Sequence, residues 1–235
     1  MKQVTVEIWS DVVCPWCYIG ENRFEQALAE FPNRDQIKVV HRSFQLDPST
    51  PRDTRETVDE MLSKKYRVSP ERAAQMSNQV ISVAAADGLP MRADRFTANT
   101  YDAHRLVHFA TTKGLGDQML QALFAGHFAN QKLVGDTDTL VELAVEVGLD
   151  ADETRKVLES DAFSAEVDAD LRRAAGFGIQ GVPFFVFDEK FGVSGGQAKE
   201  VFTQAITKAW EEAKPLTLFG NGEVCGPDGC EVPQN

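Results

Sequence analysis

The sequence is short of positive charge. Its 24 lysines and arginines stand against 36 aspartates and glutamates, a net charge of −12 over 235 residues. That balance argues against phosphate backbones and anionic lipid surfaces as partners, so neither nucleic acid nor membrane is expected. No apolar run approaches the length that spans a bilayer. The N-terminus, Met1-Lys2-Gln3-Val4-Thr5, has no basic segment, apolar stretch or small-residue cleavage site before strand-like sequence begins, and the chain reads as cytoplasmic. No glycine-rich phosphate loop follows a strand, which leaves nucleotide binding without support, and no repeat period points to a solenoid. His104 and His108 lie four apart in a helical stretch but lack the glutamate of a His-Glu-x-x-His pair, and no metal site is expected. Apolar and charged contents of 43% and 26% are ordinary for a globular chain that buries a core without staples.

What is present is concentrated in Val12-Val13-Cys14-Pro15-Trp16-Cys17-Tyr18. Upstream, Val4, Val6 and Ile8 alternate with Thr5, Glu7 and Trp9, the period of a strand with one buried face. Downstream, Cys17, Phe24, Ala27, Leu28 and Phe31 share one side of a helix that Pro32 ends. Cys14 therefore falls at the N-cap and Pro15 at the first helical position, where a missing N–H costs nothing. The Cys14 sulfur would face unpaired helix N–H groups and the positive end of the macrodipole, which favour a thiolate. Cys14 is thus the expected attacking sulfur, and Cys17, one turn on and facing inward, the resolving thiol. Half a zinc site or a structural disulfide are the plainer readings of such a pair. A strand before it and a helix after it are the context in which it reads as a thioredoxin-like redox centre.

The rest of the chain follows from that start. Ile37 to Phe44 is rich in β-branched residues and reads as a second strand, parallel to the first across a βαβ crossover. From 53 to 176 the strand signal vanishes and six or seven short helices are expected, with helix starts at Ser69-Pro70 and Asp150 to Glu153. Strand sequence returns at Val182 to Phe187 and again at Phe191 to Ser194, a hairpin, and a helix follows from about Gln197. The expected fold is α/β: a discontinuous domain formed by 1–52 and 177–214, an all-helical insertion at 53–176, and a tail at 215–235 carrying Cys225 and Cys230.

This order of elements resembles the DsbA-like branch of the thioredoxin superfamily, a central mixed sheet flanked by helices with a large helical insertion. The segments Ser10 to Gly20, Phe44-Gln45-Leu46-Asp47-Pro48, Asn99 to Leu106 and Gly181-Val182-Pro183-Phe184-Phe185 are similar to the FrnE-type dithiol oxidoreductases, and the Cys225/Cys230 pair resembles the C-terminal thiol pair of some of them. The resemblance implies a thiol:disulfide oxidoreductase or isomerase acting through mixed disulfides on protein or low-molecular-weight thiols. It implies no cofactor beyond glutathione as a co-substrate. By position it makes Val182-Pro183 a cis bond facing the thiol pair, and it places Trp16, Val182, Pro183 and His104 on the substrate side. Cys225 and Cys230 would form a second redox pair exchanging with the first. The family has relatives among 2-hydroxychromene-2-carboxylate isomerases and kappa-class glutathione transferases, so a glutathione-dependent isomerase or transferase is the alternative. A zinc-binding or interaction protein using all four cysteines is the second.

Overall fold

The structure, a computed structural model, describes residues 2–213 together with the backbone of 225–226 and 229–230. Its frame is a four-stranded sheet of β1 (Val4–Ser10), β2 (Ile37–Ser43), β3 (Phe184–Phe187) and β4 (Phe191–Ser194), in the order β2-β1-β3-β4. β1 and β2 run parallel, joined by α1 (Pro15–Ala29), while β3 is antiparallel to both β1 and β4. The hairpin between β3 and β4 turns on Asp188 and Glu189, both at positive φ, and Thr5 N–H donates to the Asp188 carboxylate at 2.9 Å. The turn is thereby tied to the first strand.

The alternation in β1 sorts its side chains to two faces. Val4, Val6 and Ile8 meet Phe185 and Phe187 of β3, Phe24 of α1, and Phe202 and Ile206 of α9 (Lys199–Glu212), all buried. Phe24 stands near the middle of this core, with three other phenylalanine rings at 5.5 to 6.3 Å between centroids. The opposite face carries Trp9 and Val186, covered by Ala174 and Ile179.

Seven helices separate β2 from β3 among the described residues: α2 (Val58–Tyr66), α3 (Pro70–Ala86), α4 (Tyr101–Thr112), α5 (Gly116–Phe128), α6 (Thr137–Glu146), α7 (Ala151–Leu158) and α8 (Ser164–Gly176). Ser69 and Asp150 cap α3 and α7 by accepting from Arg72 and Glu153 N–H. The full reciprocal box, though, is Thr57 with Glu60 at the start of α2. The helical core, with Leu106, Leu123, Phe124, Phe128 and Leu140, also takes in Cys14, Cys17 and Tyr18 of the α1 start.

One helix of the 53–176 stretch belongs physically to the sheet. α8 lies on the Trp9 face, where Trp9 Nε1 donates to the Asp170 carbonyl at 3.0 Å and Ser43 N–H to the Asp170 carboxylate at 2.9 Å. Arg42 of β2 bridges Glu7 and Asp170, and Arg173 of α8 reaches Glu7. Burial alone would raise the Glu7 carboxyl, yet hydrogen bonds from Arg173 and Arg42 outweigh it and leave the group lowered. In the tail, β5 (Cys225–Gly226) pairs antiparallel with β6 (Gly229–Cys230), setting Cys225 opposite Cys230 in the ladder. Their sulfurs, and so the expected disulfide, lie outside the described residues. Among the described residues no helix is long and apolar enough to cross a membrane.

Candidate active site

After β1 the chain bends through Asp11 to Val13, and Cys14 N–H closes the bend on the Asp11 carbonyl at 2.9 Å. Cys14 is extended, at φ −83° and ψ 114°, and caps α1 with Pro15 opening the helix, as the sequence predicts. The expected hydrogen bond from the first turn to its sulfur is not formed. The Cys17 and Tyr18 N–H groups bond the Cys14 carbonyl instead, and the Cys14 sulfur points across to the carbonyl of Val182, 3.7 Å away. What bears on Cys14 Sγ is thus the Val182-Pro183 loop, whose peptide bond is cis.

Close approach of that loop depends on two glycines. A Cβ at Gly20 would sit 3.1 Å from both Pro183 Cγ and Gly196 Cα, and one at Gly196 would sit 2.9 Å from the Trp16 carbonyl oxygen. Trp16 itself is 40% exposed, a large apolar surface beside the sulfur.

The two thiols are in different surroundings. Cys14 lines a cavity of about 400 Å³ together with Pro15, Trp16 and Val182. Cys17 is fully buried, and its sulfur accepts from Asp11 N–H at 3.5 Å. Burial first, then the adjacent Cys14 sulfur, push the Cys17 thiol well above its ordinary range. Cys17 therefore holds its proton more tightly than a free thiol.

Behind the pair lies a layer of buried polar groups. Asp11 is 1% exposed; its Oδ2 accepts from Leu46 N–H at 2.8 Å, and its Oδ1 faces His104 Nε2 at 3.5 Å. Glu21, one turn beyond Cys17, is 1% exposed, and burial raises its carboxyl to about 7. His41 stands 3.6 Å from Glu21 and 3.3 Å from Asp117. Burial would lower His41, but the Glu21 and Asp117 charges prevail and raise it. His41 and Asp117 line a second cavity of about 460 Å³ on the far side, against β2, α4 and α5. That cavity is lined by neither Cys14 nor Cys17.

The residues singled out from the sequence divide accordingly. Cys14, Trp16 and Val182 line the front cavity, Pro183 packs over α1 beside them, and His104 lines the rear cavity instead. Sequence reasoning missed Glu21, Arg95 and His127. The last two line the front cavity while being only 2% exposed. Glu21 had a signal, since four residues after Cys17 is the same helix face; Arg95 and His127 had none.

Comparison with known proteins agrees with this architecture. The profile of the DSBA-like thioredoxin domain matches residues 5–207. The crystal structure of a probable DsbA oxidoreductase, SCO1869 from Streptomyces coelicolor, is 51% identical and superposes with a TM-score of 0.90 over 99% of this chain and 100% of that one. YwbO from Bacillus subtilis (strain 168), an uncharacterized protein, is 27% identical over 207 residues, 87% of this chain and 96% of its own. The cytosolic disulfide reductase DsbM from Pseudomonas aeruginosa, solved with GSH, shares the fold at 15% identity and a TM-score of 0.59, over 87% of this chain and 98% of that one. With a thiol pair at the head of α1, a cis Val182-Pro183 loop against it, and a profile match over most of its length, the chain belongs to the DsbA-like thioredoxin domain family.

Proposed function

We propose that the chain is a cytoplasmic thiol:disulfide oxidoreductase in which Cys14 is the nucleophile and Cys17 the resolving thiol. The observation that carries this is the division between the two sulfurs: Cys14, though only 4% exposed, lines the front cavity, whereas Cys17 is fully buried off it with its thiol raised well above the ordinary range. In the reductive direction the Cys14 thiolate attacks one sulfur of a disulfide and the other leaves as a thiol. Cys17 then gives up its proton, attacks Cys14 Sγ, and releases the second thiol. Two electrons pass to the substrate, and Cys14–Cys17 ends as a disulfide. Run backwards, the same steps oxidise a dithiol.

The Val182 backbone would guide a peptide into this geometry. Its N–H donates to no group among the described residues, and its C=O meets only Cys14 Sγ, so both could pair with an extended substrate strand. Trp16 would supply apolar contact on the other side.

An insulin-reduction assay with dithiothreitol tests the assignment. Cys14→Ser should be inactive, and Cys17→Ser should accumulate mixed disulfides with substrate. Activity retained in Cys14→Ser would overturn it. We add Cys225 and Cys230 as a second pair that exchanges with the first, supported by their backbone register. The Cys225→Ser/Cys230→Ser double variant should then change turnover or potential; wild-type values for both would remove the tail from the cycle.

A further inference from the structure

The front cavity has features that attack on a protein disulfide does not use. Beyond Cys14 it runs between α2, α3 and the 95–98 stretch, walled by Val58, Met61, Leu62, Met76, Val80 and Phe96. Its volume of about 400 Å³ is in the range of small-molecule sites. Within it lies a cation, Arg95, only 2% exposed. The guanidinium donates to the Arg92 carbonyl at 2.7 Å and to Ser77 Oγ at 3.4 Å, and stacks over the Phe128 ring. Both acceptors are neutral, and no carboxylate among the described residues is within ion-pair distance. Asp59 is the acid whose charge it feels, and Asp59 does not line the cavity. A buried cation whose acid, Asp59, stands beyond ion-pair distance is only partly compensated, and the cavity beside it is where an anionic group would enter.

The neighbouring groups agree. His127, also 2% exposed, lines the same cavity and has an Nε2 with no hydrogen-bond partner among the described residues. Burial and then the Arg95 charge keep that ring neutral. Lys65 stands on the same cavity. Two acids also line it: Asp11, bonded to Leu46 N–H, and Asp47, bonded to Ser49 N–H and Oγ. Both belong to the segments next to the thiol pair, whereas Arg95, Ser77 and His127 belong to the helical insertion.

We infer that this cavity binds small organic disulfides bearing an anionic group, with Arg95 receiving the anion while the disulfide lies against Cys14. The inference rests on the oxidoreductase reading and names its substrate class. The step is the one above: Cys14 forms a bond to one substrate sulfur, Cys17 closes on Cys14, and two carboxylate-bearing thiols leave with the two protons. No further oxidant is needed for a single turnover.

The test compares three disulfides of different charge on the reduced, full-length protein: anionic 3,3′-dithiodipropionate, neutral bis(2-hydroxyethyl) disulfide and cationic cystamine. Oxidation of the thiol pair is followed by tryptophan fluorescence, and each rate is divided by that of dithiothreitol with the same disulfide. The anionic probe should be preferred over the neutral one by about tenfold, equivalent to about 1.4 kcal/mol, despite a net charge of −12 that repels it at long range. Arg95→Gln should reduce that preference to within about twofold, and Arg95→Lys should keep part of it. Met76→Trp, which fills the cavity with Arg95 in place, should slow the anionic probe by about tenfold in a protein whose circular dichroism is native. Equal normalised rates for all three probes, an undiminished preference in Arg95→Gln, or an anionic probe that is not slowed in Met76→Trp, would overturn the inference while leaving the oxidoreductase reading standing. Failure of every disulfide to oxidise the pair would instead overturn that reading.

Discussion

At Glu21 the surroundings work against the charge the side chain would carry in water. The carboxyl titrates near 4.5 in an unfolded chain and at about 7 in the fold, so the folded state holds the proton more tightly. Its contribution to stability is full below about pH 4.5 and is lost as pH rises through about 7. His41, raised above 6.5, acts in the same direction at slightly higher pH. The wild type should therefore lose up to roughly 3 kcal/mol between pH 5 and pH 9 from Glu21. Glu21→Gln should lose clearly less, as urea midpoints at the two pH values would show; equal losses would refute the assignment. The thiol pair was legible in the sequence because its meaning is local: two residues apart, strand before, helix after. Arg95 was not, since an arginine in an irregular stretch reads as solvated until α3, α5 and Phe128 are seen to close around it.

For the elements, period and punctuation were enough. The alternation in β1, the proline at the head of α1 and the hairpin of β3 and β4 appear where the sequence places them, each set by side chains within a few residues. Which surface α8 packs on was not legible, because Asp170 and Arg173 look like ordinary polar positions until Trp9, Arg42 and Ser43 meet them across more than a hundred residues. Removing the 2% exposed Asp170 carboxylate strands the Ser43 N–H in a buried site and takes one partner each from Arg42, which keeps Glu7, and His108, which keeps Ser43 Oγ. Asp170→Ala should cost about 3 kcal/mol in urea unfolding; a loss under about 1 kcal/mol would mean α8 is held by Ala174 and its apolar neighbours alone. Another contact between elements that a single added atom would test is Gly196 against α1. A Cβ there meets backbone rather than a flexible side-chain end, so Gly196→Ala should cost about 1 to 3 kcal/mol and slow attack by Cys14 in the insulin assay. An unchanged rate would show that the first turn of α1 yields without disturbing the sulfur.

Across the whole molecule, the two cysteines pack with the helical core while the strand that delivers them packs with the sheet core. The sheet order β2-β1-β3-β4 has a further consequence for biosynthesis. β1 gains its parallel neighbour early, but its other neighbour begins at Phe184, 174 residues after β1 ends at Ser10. At roughly 5 to 20 residues per second, a ribosome would need on the order of ten to thirty seconds to make the intervening chain. Throughout that interval one edge of β1 has hydrogen-bonding groups and no native strand to take them, and the nascent chain is open to mispairing beside the segment that carries Cys14 and Cys17.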